Sequence, residues 1–252
     1  MIHLDIQDMT VSFGSKTVID HISAGFGGGE MTAVIGRNGA GKTTLIKAVA
    51  GLAKHSGAVC LSGDGNMPLS REEIAYVPQL GDLSTKLTVF EMVLLGLVNN
   101  LKWHVTKEQL MLVNDTLTAL NLSDISKQPF NTLSGGQKQL VSMAQSMISK
   151  PKVLLLDEPT SALDLRHQLI VMNMARQYTR DTGAVTIFVV HDLMLASRYG
   201  DRLLLLHEGR VKAFDRPEQV LTPELLTKVY GVEISVERTK NGFLSAVPIA
   251  PL

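Results

Sequence analysis

The chain has 252 residues with 24 basic and 24 acidic side chains, a balance that argues against a general nucleic-acid surface, because such surfaces show a basic excess. Its only cysteine, Cys60, excludes an intrachain disulfide and fits a reducing cytosol. No apolar run approaches the ~20 residues that cross a bilayer, and we expect neither a signal peptide nor direct membrane insertion. Any membrane role would therefore need a separate partner.

The opening residues predict antiparallel β-structure. Apolar side chains recur at near-alternate positions from Leu4 to Phe13, and a Gly14-Ser15 turn separates them from Val18 and Ile22. Alternation of this kind is typical of half-exposed strands joined by a short turn. We expect an antiparallel meander here.

Four later runs are continuously apolar, which is the pattern of strands buried on both faces of a parallel sheet. A helix is predicted from Thr43 to Ala50, and Leu165, Leu169 and Met172 recur at the spacing of one helix face. Strands alternating with helices indicate an α/β domain with a mostly parallel sheet. The four runs are Thr32-Ala33-Val34-Ile35, Val153-Leu154-Leu155-Leu156, Val185-Thr186-Ile187-Phe188-Val189-Val190 and Leu203-Leu204-Leu205-Leu206.

The middle of the chain, residues 88–126, is predicted to be mostly helical. Two capping boxes open helices there, Thr88 with Glu91 and Thr106 with Gln109. Near the end, Thr222-Pro223-Glu224 predicts the start of a short helix, because proline is favoured in a first helical turn. Lys240-Asn241-Gly242 then predicts a hairpin between residues 232–237 and 243–247.

One segment carries a phosphate-binding motif. Gly36-Arg37-Asn38-Gly39-Ala40-Gly41-Lys42-Thr43 matches G-x-x-x-x-G-K-[ST] between a predicted strand and a predicted helix. Glycines let backbone N–H groups converge on phosphate oxygens, and the helix N-terminus adds positive potential. Lys42 is placed to reach the β- and γ-phosphates, and the Thr43 hydroxyl to bind Mg²⁺.

Two acids follow the second apolar run. Asp157 and Glu158 stand at the carboxyl end of a predicted strand, which is where ligands bind in open α/β sheets. We expect Asp157 to hold Mg²⁺, directly or through water, and Glu158 to act as general base toward the attacking water. His191 follows the third run and is expected at the same sheet edge.

A second anion site is indicated by Leu133-Ser134-Gly135-Gly136-Gln137, which precedes a helix with Leu140, Ala144, Met147 and Ile148 on its apolar side. Ser134 is a suitable N-cap, and the glycines leave backbone amides open to a phosphate. Alone, such a turn is most often only a capped helix start. Its place in an ordered series of motifs gives it more weight. The series is the phosphate loop, Gln79, this signature, Asp157-Glu158, Ser161-Ala162-Leu163-Asp164 and His191.

That series closely resembles the nucleotide-binding subunits of ABC transporters over nearly the whole chain. The resemblance implies a homodimer with two ATP molecules sandwiched head to tail, Phe13 stacking on adenine, and Gln79 contacting Mg²⁺. It implies that Asp164 crosses the dimer interface and that His191 contacts the γ-phosphate. The catalytic residues would be Glu158, His191 and Gln79. Mg²⁺ would be held by Thr43, Gln79 and Asp157, and ATP by Phe13, Asn38, Gly39, Ala40, Gly41, Lys42, Thr43 and Thr44, with Ser134, Gly135, Gly136 and Gln137 serving the partner subunit's nucleotide.

Within the family, residues 163–168, 191–199 and 221–226 resemble importers of iron-siderophore, haem and vitamin B12, whereas residues 96–100 depart from that subfamily. The resemblance implies two transmembrane permease subunits, an indirectly contacted substrate-binding protein, and a peripheral location on the cytoplasmic side of the membrane. An exporter subunit, a soluble non-transport ABC ATPase and an ATP sensor without hydrolysis remain as alternatives. The short helical gap before the signature and the single cassette disfavour the soluble alternatives, and Glu158 with His191 disfavours the sensor.

The whole chain is expected to form one ABC ATPase domain. Residues 1–30 would form its antiparallel β part, residues 87–150 a helical subdomain with the signature, and residues 216–252 a C-terminal helix and hairpin. The RecA-like core would take residues 31–86 and 151–215.

Overall fold

A computed structural model describes residues 2–63, 67–68, 70–79, 85–97 and 105–252. The expected α/β architecture is confirmed, with a central six-stranded sheet in the order β10-β9-β3-β8-β7-β6. Five neighbouring strands are parallel, and β10 is antiparallel at one edge. The six strands are β3 (Met31–Ile35), β6 (Ile74–Val77), β7 (Val153–Asp157), β8 (Val185–Val189), β9 (Arg202–His207) and β10 (Arg210–Asp215).

The expected antiparallel meander is present at the start of the chain. Strands β1 (His3–Phe13) and β2 (Lys16–Gly27) pair across the Gly14-Ser15 turn. Their sheet has the order β2-β1-β4-β5, with β4 (Ser56–Ser62) and β5 (Met67–Pro68) added on the far side of β1.

Eight helices are described in these ranges. Both capping boxes predicted at Thr88 and Thr106 are formed, and Thr222 caps the C-terminal helix. The helical prediction for residues 98–104 lies outside the described residues. No helix in the described ranges is long and apolar enough to cross a membrane. The helices are α1 (Lys42–Val49), α2 (Val89–Leu95), α3 (Lys107–Ala119), α4 (Gly135–Met147), α5 (Leu165–Thr182), α6 (Leu193–Tyr199), α7 (Pro217–Val220) and α8 (Pro223–Tyr230).

The central sheet separates two apolar cores. In β7, Leu154 and Leu156 face the core formed with α2 to α6, while Val153 and Leu155 face the core formed with α1 and the antiparallel sheet. All five residues of this strand are buried. Burial on both faces explains why the strand has no polar residue before Asp157, because each unpaired polar side chain there would lose its hydration.

The C-terminal hairpin is confirmed as β11 (Val232–Arg238) and β12 (Leu244–Pro251). It packs against α6, where the Leu244 N–H donates to the Ser197 hydroxyl at 2.8 Å.

Two sequence-based expectations differ from the structure. Residues 56–62, assigned to the RecA-like core, form β4 and pair with β1 in the antiparallel sheet. A strand whose partner lies some fifty residues earlier has no local turn that would reveal the pairing. Leu165 is predicted to share one helix face with Leu169 and Met172, yet it is 78% exposed while Met172 is fully buried, because Leu165 is the first residue of α5.

The two-sided burial of β7 leads to a stability prediction. Leu155→Ala should lower the free energy of unfolding by about 2–5 kcal/mol, because it leaves a cavity in a fully buried site. The matched control Leu165→Ala removes the same atoms from an exposed site and should change it by less than about 0.5 kcal/mol. Urea unfolding followed by circular dichroism measures both, and equal losses would contradict the assigned core.

Candidate functional site

The phosphate loop connects β3 to α1, as predicted. Gly36 has φ 144°, and a Cβ there would lie 2.1 Å from the Leu206 carbonyl oxygen of the neighbouring strand. Gly41, the residue before α1, has φ 103°, and its Cβ would lie 2.8 Å from Ile19. Both positions therefore demand glycine for backbone conformation and for space. The loop packs closely between β9 and β2. The backbone amides of the first turn of α1 have no partner within the helix and can bind a ligand.

Among the described residues, Lys42 has no anionic partner at hydrogen-bonding distance. Its ammonium donates to the carbonyl oxygens of Gly36 at 2.8 Å and Arg37 at 3.0 Å, and only 5% of the residue is exposed. Burial lowers the pKa of Lys42, and the carboxylates of Glu158 and Asp157 oppose this shift. A buried cation satisfied only by neutral carbonyls is well suited to receive phosphate oxygens.

Asp157 joins the phosphate loop to the end of β7. Its Oδ1 accepts a hydrogen bond from the Thr43 hydroxyl at 2.8 Å, and its Oδ2 accepts one from the Tyr76 hydroxyl at 2.9 Å. Hydroxyl, carboxylate and amide oxygens such as these are the hard donors that Mg²⁺ uses together with substrate phosphates. The donor set at Thr43, Asp157 and Gln79 thus fits Mg²⁺, and no group of three or more His, Cys, Asp or Glu in the described ranges forms an alternative metal site.

Three side chains expected to be catalytic meet at the same sheet edge. Glu158 Oε1 lies 2.5 Å from His191 Nε2, and Glu158 Oε2 accepts from the Gln79 amide at 3.1 Å. Gln79 also reaches the Ser161 hydroxyl at 3.3 Å. Glu158 has φ 50°, a left-handed conformation that costs about 1–3 kcal/mol in a non-glycine residue. This turn directs the carboxylate out of the strand and between His191 and Gln79.

Glu158, His191 and Gln79 line one cleft of about 750 Å³, whereas Asp157 and Ser161 lie outside its lining. The wall also includes residues for which the sequence predicted no role, from the start of β2 and from the β9–β10 turn. Both segments are distant in sequence from the phosphate loop, so only the tertiary fold could reveal them. The cleft is lined by Lys16, Thr17, Val18, Asn38, Gly39, Gly41, Lys42, Thr43, Thr44, Gln79, Glu158, His191, Glu208 and Gly209.

Two expected nucleotide contacts lie outside this lining. Phe13 is 60% exposed at the end of β1, where it pairs with Lys16, a residue of the cleft wall. Ala40 is buried, and its carbonyl oxygen accepts from the Gly209 N–H at 3.2 Å. Phe13 therefore has an exposed aromatic ring beside the cleft, whereas Ala40 joins the phosphate loop to the β9–β10 turn through its hydrogen bond with Gly209.

The signature residues form a capped helix start away from the cleft. The Ser134 hydroxyl accepts from the Gln137 N–H at 3.3 Å, and Gln137 Oε1 accepts from the Ser134 N–H at 3.0 Å. Ser134 and Gly135 are exposed, and none of Ser134, Gly135, Gly136 and Gln137 lines the cleft. This chain therefore does not bring its signature to its own phosphate loop.

The structure places His167 against the signature, although the sequence predicts no functional role for it. A Cβ on Gly136 would lie 2.3 Å from His167 Cδ2, so glycine is required for this close approach. His167 Nδ1 lies 2.8 Å from Asp164 Oδ2, and Asp164 Oδ1 caps α5 by accepting from the His167 N–H at 2.8 Å. The spacing of Asp164 and His167 at i and i+3 fits a helix cap, but no sequence pattern indicates the contact of His167 with Gly136.

Comparison with known proteins agrees with this arrangement. Residues 19–161 match the family described as ABC transporter. The chain is similar to the hemin import ATP-binding protein HmuV of Rhizobium meliloti, with 36% identity over 242 residues and 91% of each chain covered. It is also similar to the achromobactin transport ATP-binding protein CbrD of Dickeya dadantii, with 33% identity over 237 residues, 91% of this chain and 88% of the relative.

The fold is likewise similar to a solved metal-chelate type ABC transporter in an inward-facing conformation. The TM-score is 0.86 at 26% identity, with 99% of this chain and 98% of the other covered. These similarities extend over nearly the whole chain. They include both the phosphate loop and the signature. The chain therefore belongs to the ABC transporter family, and it is an ATP-binding, ATP-hydrolysing subunit of that family.

Proposed function

We propose that this chain works as a homodimer that hydrolyses ATP to drive uptake of an iron chelate, haem or cobalamin-type substrate through separate transmembrane subunits. The observation that supports the proposal is that the phosphate-binding cleft and the signature lie at separate places on the same chain. The cleft holds Lys42, Glu158 and His191, while the exposed signature turn at Ser134 lies outside it. Import and substrate class rest on the hemin and achromobactin relatives.

In this proposal the residues in and beside the cleft bind ATP, hold Mg²⁺ or activate the attacking water. Lys42 and the loop amides from Asn38 to Thr44 bind the phosphates, and Phe13 stacks on the adenine. Thr43, Asp157 and Gln79 hold Mg²⁺, which when bound neutralises phosphate charge. Glu158 accepts the proton of the attacking water, since His191 and Gln79 hold its two oxygens and fix its direction.

Replacing Glu158 tests its role as base. Glu158→Gln keeps the size and hydrogen-bonding capacity of the side chain but cannot accept the proton. We expect ATP turnover to fall by about 10²–10⁴-fold with ATP affinity retained, because the binding residues are untouched. Phosphate release and fluorescent-nucleotide binding measure the two quantities, and unchanged turnover would remove Glu158 from the chemistry.

We propose the dimer because the signature lies outside this chain's own cleft. The exposed Gly135 begins the 13-residue helix α4, and the N-terminus of a helix favours an anion. In the proposal, a nucleotide bound in the cleft of a second copy supplies the phosphate for this turn. Two copies arranged head to tail would each complete the other's site, and this arrangement closes as a two-fold symmetric pair.

Mixed dimers separate this arrangement from two independent sites. Ser134→Arg should block the signature, and Lys42→Ala should disable the phosphate loop, so each pure variant should be inactive. A mixed dimer contains one intact site, formed by the loop of the first variant and the signature of the second. Mixing should therefore restore ATP turnover in a steady-state assay. A mixture no more active than its separate components would contradict the shared site.

A second cleft offers a place for the transmembrane partner. It has a volume of about 620 Å³ and lies between the edge strand β6 and helices α2 and α4. Gly96, Gln145 and Lys152 are among its lining residues, and Gly96 begins the segment that departs from the importer subfamily. In the proposal, a permease loop docks here, with the chain peripheral on the cytoplasmic side of the membrane.

Detergent extracts of the native membrane test the transport proposal. We expect the chain to co-purify with a many-helix membrane protein and, when reconstituted with it and a binding protein, to support ATP-dependent uptake of haem, a ferric siderophore or cobalamin. With ATP outside, this chain faces the external solution, so the binding protein and the substrate are enclosed in the vesicles. ATP-dependent release of substrate from the lumen would then establish import, and accumulation inside the vesicles would establish an exporter. A chain that never co-purifies with a membrane protein would favour the soluble ATPase alternative.

A further inference from the structure

Tyr76 lies beside the metal-binding carboxylate but belongs to none of the motifs that identify the family. It stands on β6, the edge strand of the central sheet, and pairs in parallel register with Leu155 of β7. Its hydroxyl reaches across to Asp157 Oδ2 at 2.9 Å. Three residues later on the same segment, Gln79 bonds to Glu158. The end of β6 therefore contacts both acids at the end of β7.

The two oxygens of Asp157 have different partners. Oδ1 faces the Thr43 hydroxyl at 2.8 Å, on the side of the phosphate loop, while Oδ2 is occupied by Tyr76. The Thr43 oxygen keeps lone pairs for a cation while its proton points to Asp157. Tyr76 thus holds the carboxylate by the oxygen on the side away from the loop.

The Tyr76 hydroxyl is the donor in its hydrogen bond to Asp157. Burial raises its pKa, and the hydrogen bond to Asp157 and the charge of that carboxylate raise it further. Asp157 itself is 4% exposed, so few other donors can reach it. A hydrogen bond to a charged group is stronger than one between neutral groups, so this contact fixes one orientation of the Asp157 side chain.

We propose that Tyr76 is a positioning residue for the metal site: its hydroxyl fixes Asp157 so that Oδ1 faces Thr43 and the cation bound with ATP. This rests on the proposed role of Asp157 in holding Mg²⁺. Partners that orient metal-binding carboxylates commonly contribute about 10–100-fold to metal affinity. Tyr76 belongs to β6, which is the edge strand of the sheet and borders the second cleft. Its hydrogen bond therefore joins that edge of the sheet to Asp157.

The test is Tyr76→Phe, which removes the hydroxyl and keeps the ring. Mn²⁺ serves as the probe, and its binding to the protein–ATP complex is measured by electron paramagnetic resonance without turnover. We expect the Mn²⁺ dissociation constant to rise about 10-fold, while ATP binding measured in EDTA stays at the wild-type value. The metal concentration for half-maximal ATPase activity should rise in parallel.

Tyr178→Phe is the matched control. Tyr178 also donates a buried hydroxyl hydrogen bond, to the Pro151 carbonyl at 2.7 Å, but it lies on α5 and does not line the cleft. It should lose comparable thermal stability with unchanged Mn²⁺ binding. Wild-type Mn²⁺ affinity in Tyr76→Phe, or an equal weakening in Tyr178→Phe, would overturn the positioning role.

A second cycle distinguishes this proposal from the role of Asp157. In an Asp157→Asn background, Tyr76→Phe should weaken Mn²⁺ binding no further, because both changes act through one carboxylate. Additive losses would mean that Tyr76 acts elsewhere. If Asp157→Asn alone leaves Mn²⁺ binding unchanged, the proposed metal role of Asp157 fails, and the positioning role fails with it.

Discussion

The hydrogen bond between Thr43 and Asp157 joins residues 114 positions apart and brings the two halves of the site together. Thr43 belongs to the helix after β3, and Asp157 ends β7, so the bond spans strands that have β8 between them. Its length depends on the register of the parallel sheet, where Leu156 pairs with Phe188 and Val34 with Val189. A slip of one residue would turn Asp157 into an apolar core and separate the cation site from the phosphate loop.

Features encoded by neighbouring residues were predictable. The apolar runs, the capping boxes and the phosphate loop each depend on contacts within a few positions, which periodicity and spacing report directly. Glu158 and His191 could be placed at one edge because both follow buried strands. The distance of 2.5 Å between Glu158 Oε1 and His191 Nε2 could not be predicted, because it depends on the left-handed backbone conformation of Glu158.

Contacts between distant segments were not predictable. The pairing of β4 with β1, the Tyr76 hydroxyl on Asp157 and the contact of His167 with Gly136 arise from packing that no local pattern encodes. The buried Gln139 side chain is a related case, because its amide nitrogen has no hydrogen-bond partner among the described residues. No sequence pattern predicts that this amide is buried, and no described residue provides the hydrogen bond that its burial removes.

The central position of β3 also has a consequence for synthesis of the chain. Its neighbours are β8 and β9, so Ala33 meets Phe188 and Leu203 only after most of the chain has left the ribosome. At typical elongation rates that delay is on the order of ten seconds. During it, the apolar strand and the loop that follows it have no sheet to join. The cleft that includes the loop after β3 is therefore complete only when residues 185–209 have been synthesised.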